Sequence, residues 1–316
     1  MRFRPLGRSG LASAPLAFGG NVFGWTADEA TSHRLLDEFT GAGFNLVDTA
    51  DCYSIWVEGH RGGESESILG GWLAKPGNRR KVLVATKVGW DMKEGGKGLS
   101  RRHILASADA SLKRLRTDVI DLYQSHKEDP ETPHEETLAA YDELIRAGKV
   151  RAIGCSNFAP ASLRAALDAS RRLGLPRYET VQPLYNLHDR HVFEGELRDL
   201  CAAEEIGAIP FYALAAGFLT GKYRSEADVA ASARGFRAKT YMTERGFRVV
   251  AALESVAARL GSTAGRVAVA WAMAQPGITA PIASGRTVEQ VRDLVAAASL
   301  ALDAAAFEEL GAASAL

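Results

Sequence analysis

Short apolar runs alternate with amphipathic stretches from residue 16 almost to the end of the chain. The runs are LAFGG (16–20), FNLVDTA (44–50), VLVATKV (82–88), VIDLYQSH (119–126), VRAIGCSN (150–157), TVQPLYN (180–186), GAIPFYA (207–213) and ITAPIASG (278–285). Each has the length of a strand and the apolar continuity of one buried on both faces. Between them the helical period recurs over 28–41, 64–74, 101–115, 134–147, 160–173, 190–205 and 287–298. The stretch HEETLAAYDELIRA (134–147) shows the pattern: Leu138, Tyr141, Leu144 and Ile145 share a face, acidic residues fill the first turn, and Gly148 follows as a stop.

Eight strand-like runs, most followed by a helix at a pitch of roughly 30 residues, predict a (β/α)8 TIM barrel. The competing architecture is an open doubly wound sheet. Its usual sign, GxGxxG between the first strand and helix, is missing from LAFGGNVFG. The first ~14 residues read as an N-terminal β-hairpin, RFR turning at GRSG into LAS, that covers one barrel end. The pitch breaks between runs seven and eight, where 221–243 reads as a long polar loop and extra helices are expected near 244–260 and 263–274. A further helical segment closes the C-terminus. Nothing marks a domain boundary, so residues 1–316 are expected to form one domain.

Composition narrows the function classes. Of 316 residues, 47% are hydrophobic and 24% charged, and Lys plus Arg balance Asp plus Glu at 38 each. That balance leaves no electrostatic footprint for nucleic acid or an anionic membrane. No signal peptide or bilayer-length apolar run is evident. The three cysteines, Cys52, Cys155 and Cys201, have neither disulfide nor zinc spacing and suit a reducing cytoplasm.

The chemistry lies where the runs end. In a parallel barrel all strand C-termini meet on one rim. The run ends here are Gly20-Asn21, Asp48, Lys87, His126, Ser156-Asn157, Gln182, Phe211-Tyr212 and Ser284-Gly285-Arg286. Buried strands do not finish on Asp, Lys and His unless those groups meet one another. Tyr53, five residues past Asp48, reaches the same rim from its loop. A free phenol has a pKa near 10, so acid or base work at neutral pH calls for help. The Lys87 ammonium is expected to supply it, lowering the phenol by about two units at a differential interaction of roughly 2.7 kcal/mol. Asp48 would pair with Lys87, and His126 would polarise a carbonyl oxygen. Such a site protonates an oxygen on which negative charge develops, which fits carbonyl reduction.

Over nearly its whole length the chain resembles the aldo-keto reductase family. The segments that carry the resemblance are LGRSGL (6–11), DTADCYS (48–54), ATKVG (85–89), DLYQSH (121–126), RAGKVRAIGCSNF (146–158), QPLYN (182–186), GFLTGKY (217–223) and PIASGRTVEQV (281–291). The resemblance implies a (β/α)8 barrel with NADPH stretched across the strand C-termini. It implies a catalytic tetrad of Tyr53, Lys87, Asp48 and His126. Cofactor contacts would come from Gly20, Asn21 and Asp48; Ser156, Asn157 and Gln182 would hold the carboxamide, and Phe211 would stack on the nicotinamide. Tyr212, Leu214, Gly217 and Lys222 fall on the pyrophosphate loop, while Ser284, Arg286 and Gln290 fall at the adenosine end. Tyr212 and Ala213 depart from a common Ser-Pro pair, and Leu294 stands where an Asn often sits beside Asp293.

Other readings of the same residues are blander. Asp48 and Lys87 alone would be a structural ion pair, and His188 and His191 form an HxxH without a third ligand. Cys52 reads as a packing residue, with a redox-sensitive thiol beside Tyr53 as the alternative. Trp25, Trp56 and Trp90 are expected to wall a substrate pocket. The expected partner is a small carbonyl compound, an aldehyde or ketone; nucleic acid and membrane are not expected, and the oligomeric state stays open between monomer and homo-oligomer. Potassium-channel β subunits resemble this family too, so a redox-sensing NADPH-binding subunit is the alternative, which the intact tetrad and lack of an N-terminal tail disfavour. A Schiff-base aldolase using Lys87 needs a neutral amine, which Asp48 opposes.

Overall fold

The computed structural model describes residues 1–92 and 95–315. The chain opens with a hairpin, β1 (Arg4–Pro5) and β2 (Ala12–Ser13), paired antiparallel. Eight parallel strands follow: β3 (Ala17–Gly19), β4 (Leu46–Asp48), β5 (Leu83–Val88), β6 (Ile120–Ser125), β7 (Val150–Ser156), β8 (Tyr178–Gln182), β9 (Gly207–Ala208) and β10 (Ile282–Ala283). Each of these pairs with its neighbour in sequence, and β10 returns to pair with β3. Backbone bonds from Thr279 N to Ala208 O (2.7 Å) and from Ile282 N to Pro210 O (2.7 Å) join the last two strands and close the barrel. The doubly wound alternative is thereby excluded.

The helices lie where the periodicity predicts: α1 (Glu29–Gly41), α2 (Glu64–Leu73), α3 (Arg101–Leu115), α4 (His134–Arg146), α5 (Pro160–Leu173), α6 (Glu196–Glu204), α9 (Glu244–Arg259), α10 (Ala264–Ala274), α11 (Val288–Ala297) and α12 (Ala304–Ser314). Local chemistry sets many of their starts. Asp28, Ser100, Thr243, Thr263, Thr287 and Asp303 each accept a bond from a backbone N–H of the first turn, a cap worth about 1 kcal/mol. The segment 221–243 departs from expectation. It holds two short helices, α7 (Glu226–Ala230) and α8 (Gly235–Ala238), before a 3₁₀ turn at Lys239–Tyr241. A Ser225–Asp228 capping box starts α7, a signal that the polar composition concealed. Among the described residues no helix is long and apolar enough to cross a membrane.

Strand alternation divides the core in two. Ala17, Leu46, Ala85 and Leu122 point into the barrel, where Leu6 and Leu11 of the hairpin arm join them as a floor. Phe18, Val47, Val84 and Tyr123 point outward into the layer shared with the helices. The hairpin sits tight on the barrel: a Cβ on Gly7, at φ +61°, would lie 2.2 Å from Glu179 O, so glycine is required on both conformational and steric grounds. One step further along the same inward rows, apolar side chains give way to polar ones. That change makes the floor-to-rim axis chemically asymmetric.

Candidate active site

Gly19, Asp48, Lys87, Gln124 and Ser156 stand two or four residues beyond inward-facing apolar positions of their strands, and Gln182 pairs with Ser156 across β7 and β8, so the pleat aims them at one point. Lys87 is fully buried and directs its ammonium to three acceptors: Asp48 Oδ2 at 2.6 Å, the Tyr53 hydroxyl at 2.8 Å and Thr49 O at 2.9 Å. An ammonium has three protons, and all are used. Asp48 Oδ1 accepts from Gln182 Nε2 (2.9 Å) and Gln124 Nε2 (3.2 Å). The carboxylate is therefore buried with one cation and two amide donors, the arrangement that makes such burial tolerable.

Because Lys87 can only donate, it holds the phenol through an oxygen lone pair. The phenolic proton meets only a long contact to Asp48 Oδ2 at 3.5 Å, so it is available to an acceptor in the groove. The expected drop in the Tyr53 pKa is overturned. Burial, and then the Asp48 carboxylate, raise the phenol well above its ordinary value, outweighing the ammonium. Desolvation penalises the phenolate more than one shared cation favours it. At neutral pH Tyr53 carries its proton.

His126 follows β6 directly, its N–H bonded to Val88 O. Burial, with the charges of Lys87 and Lys127, pushes its imidazole well below the usual range, so it is neutral and offers one N–H. Its Nδ1 lies 3.6 Å from Cys52 Sγ, and Trp90 packs on the ring at 5.0 Å between centroids. Burial, with Asp51 next in effect, pushes the Cys52 thiol up, which suits packing rather than nucleophilic work. Asp51, Cys52 and His126 bring their ligand atoms within 4.8 Å of one another, but the raised thiol and a neutral carboxyl, with an Asp51 pKa of about 8, are a poor donor set for a cation. His188 instead meets Asp189 at 3.3 Å.

A groove of about 800 Å³ runs from this cluster along the strand ends. Tyr53, Asp48, His126, Trp25, Trp56 and Trp90 line it, as do Ser156, Asn157, Gln182, Phe211 and Tyr212. Asn157 Nδ2 donates to His126 O (2.9 Å) and Ser156 Oγ (3.0 Å), and Ser156 Oγ to Gln182 O (2.9 Å). Leu214, Gly217 and Lys222 also line it, with Ser284, Arg286 and Gln290; Ser284 Oγ lies 2.6 Å from Asn21 Oδ1 and Arg286 N donates to Gln290 Oε1 (2.9 Å). Gly20 does not line the groove; its carbonyl is turned to Ser65 Oγ (2.7 Å), and Gly19 takes its place.

Several lining or buried groups escape a reading of run ends. Gln124 is one, although its place two residues before His126 puts it on the same inward row. Arg266, bound to Asp293 through Nη2 (2.5 Å), sits in α10, far in sequence from any run end. Arg234 and Arg237 come from the segment read as a loop. The turn after β9 is strained: Tyr212, Ala215 and Ala216 have φ of 60°, 47° and 57°, values that non-glycine residues hold only where the surroundings impose them.

A closed parallel barrel with a Lys–Asp–Tyr–His cluster at its strand C-termini and a long groove beside it defines the class: a barrel with a proton-handling site on its rim. The family model of the "Aldo/keto reductase family" matches residues 15–315. The chain is 37% identical to "Uncharacterized oxidoreductase YrpG" of Bacillus subtilis over 96% of this chain and 93% of that protein. It is 31% identical to "Protein tas" of Escherichia coli, over 92% and 91% respectively. It is 33% identical to a "Probable voltage-gated potassium channel subunit beta" of Oryza sativa, over 92% and 89%. The chain belongs to the aldo/keto reductase family and is an oxidoreductase of that family.

Proposed function

We propose that this protein is an NADPH-dependent reductase that converts the carbonyl of an aldehyde or ketone to an alcohol. The observation that carries the reading is the three-way grip of Lys87 on Asp48, Tyr53 and Thr49, which leaves one phenolic proton facing a groove. Tyr53, Lys87, Asp48 and His126 are the proposed catalytic groups. Bound NADPH would supply the hydride.

The groove's residues fit a dinucleotide. Its floor is stripped of side chains at Gly217, where φ is +91° and a Cβ would press on Lys222 Nζ at 3.2 Å. Cations stand at Lys222 and Arg286 for phosphate oxygens, and Phe211 offers a flat face beside Gln182, Ser156 and Asn157. An arginine at the adenosine end favours NADPH over NADH, because a guanidinium gains most from a 2′-phosphate.

The substrate oxygen would sit between the Tyr53 hydroxyl and the His126 ring. Neutral His126 donates one hydrogen bond and withdraws density from the carbonyl carbon. As charge builds on that oxygen, Tyr53 hands over its proton. An alkoxide is a stronger base than an ordinary phenolate, which drives the proton from Tyr53 to the product oxygen. Lys87 then faces the phenolate with an ammonium that Asp48 and Thr49 O keep aimed. The raised Tyr53 pKa favours reduction at neutral pH and handicaps alcohol oxidation, which needs the phenolate, until the solution is alkaline.

The test is NADPH oxidation across a panel of aldehydes, ketones and quinones, with Tyr53→Phe beside the wild type. Wild-type kcat for reduction should stay level from about pH 6 to 9, because neither a high phenol nor a low imidazole titrates there. Tyr53→Phe should bind NADPH nearly as well and lose at least ~100-fold in kcat. A variant with wild-type turnover sinks the proton-donor role. Tight NADPH binding with no carbonyl ever reduced would favour the redox-sensing reading, to which the relatives named as channel β subunits lend support.

A further inference from the structure

We propose that the substrate carries, besides its reacting carbonyl, a carboxylate that seats on Arg237. This inference rests on the reductase reading and names the class of substrate. The segment 221–243 folds back over the groove and delivers Arg234 and Arg237 to its lining. Arg237 lies over Trp56 at 5.8 Å and over Tyr212 at 6.0 Å, and its Nη1 donates to the Tyr212 hydroxyl. Trp56 in turn packs on Tyr53 at 6.0 Å. Two ring contacts therefore separate this guanidinium from the proposed proton donor, which places it at the reacting end of the groove. Lys222 and Arg286, the cations assigned to cofactor phosphates, line the same groove, and the charge of Arg286 acts on Arg234.

Neither arginine meets a carboxylate among the described residues, whereas Arg266, lining the same groove, is paired with Asp293. Arg234 stands over Trp25 at 5.9 Å, and its buried Nε has no hydrogen-bond partner. Two half-buried guanidinium groups on aromatic faces, without a counter-ion, repel one another and lose hydration. That arrangement is costly without an anion beside it and favourable with one. Of Arg237's donors, Nη1 is engaged by Tyr212, while Nε and Nη2 have no partner among the described residues. Those two remaining donors form the edge that matches a carboxylate in a bidentate pair. The tryptophans beside it would hold the apolar body between carbonyl and carboxylate.

Two aldehydes of similar shape separate the charge from the reaction: 4-carboxybenzaldehyde and its neutral methyl ester, whose greater intrinsic reactivity works against the expected preference. For the wild-type enzyme kcat/KM should favour the acid at least ~10-fold, chiefly through KM. The advantage should shrink between low salt and roughly 0.3 M salt. In Arg237→Met the acid-over-ester ratio should collapse toward one, and Arg237→Lys should restore part of it. A merely structural role for Arg237 would lower both substrates together and leave the ratio standing. A wild-type ratio near one, or a ratio unchanged in Arg237→Met, overturns the carboxylate seat while the reductase reading stands. If no carbonyl oxidises NADPH at all, the reductase reading fails and takes this inference with it. The salt dependence in the wild-type protein reads the same point should the variants not fold.

Discussion

Lys87 is the residue on which the site turns. Its side chain is fully buried, and nothing about a lysine favours that place except its three acceptors. Lys87→Met fits the space but leaves Asp48 charged and without its cation. Removing one member of a buried pair typically costs roughly 3–5 kcal/mol, softened here by the two glutamine donors. Urea unfolding should therefore show a clear loss of stability together with loss of turnover, and an unchanged midpoint would mean that Asp48 is not held as a buried anion. Asp48, Lys87 and His126 were legible in sequence because each breaks an apolar run at its end, and Tyr53 because it follows Asp48 by five residues in the loop that leaves the rim. Gln124 was not, because glutamine inside an apolar run carries no chemistry of its own and matters only through Asp48 and Gln182. The direction of the Tyr53 shift was misjudged for a related reason. A sequence shows that a cation is near but not how much water has gone.

Among the elements, strands and helices followed periodicity closely, and the connections did not. The turn after β9 is held in left-handed conformations at Tyr212, Ala215 and Ala216, with Gly217 at φ +91° beside them. No residue pattern announces three strained non-glycines in six positions; the packing of the 3₁₀ turn at Ala215–Thr220 imposes them. Gly217→Ala adds a Cβ in a conformation that costs an L-residue roughly 1–2 kcal/mol and pushes on Lys222. NADPH should bind several-fold more weakly, with little change in kcat at saturation, as read by fluorescence titration and steady-state kinetics. Equal affinity in the variant would show that this turn does not shape the cofactor groove. The segment 221–243 gives the converse lesson. Its polar composition reads as solvated loop, yet Gly235 lets α8 approach the backbone of Val229, where a Cβ would lie 1.9 Å from Val229 O, and the arginines on either side of it, Arg234 and Arg237, line the groove.

At the scale of the whole molecule, closing the barrel buries groups that the mechanism does not use. Asp51 is almost wholly buried, and its Oδ1 has no partner among the described residues. Burial, then the nearby Glu66 carboxylate, raise its pKa to about 8, against the lesser pull of Arg114 and Lys87. A carboxyl whose folded pKa exceeds its unfolded value of about 3.9 favours the fold less as pH rises between the two, by up to ~1.4 kcal/mol per pH unit. Thermal unfolding of wild type relative to Asp51→Asn should therefore show the wild type losing ground steadily from pH 5 to 8. A constant difference over that range would mean that Asp51 is ionised in the folded protein. The sequence by itself determined the order and kind of elements, because burial on one or two faces leaves a period of 3.6 or 2 in the residues. It also determined the rim, because polar groups ending apolar strands must converge when parallel strands close. Only the tertiary structure decided how those groups share protons and charge, and which distant arginines face the groove. Desolvation and convergence of residues far apart in the chain are properties of enclosed space, and they leave no period along the chain.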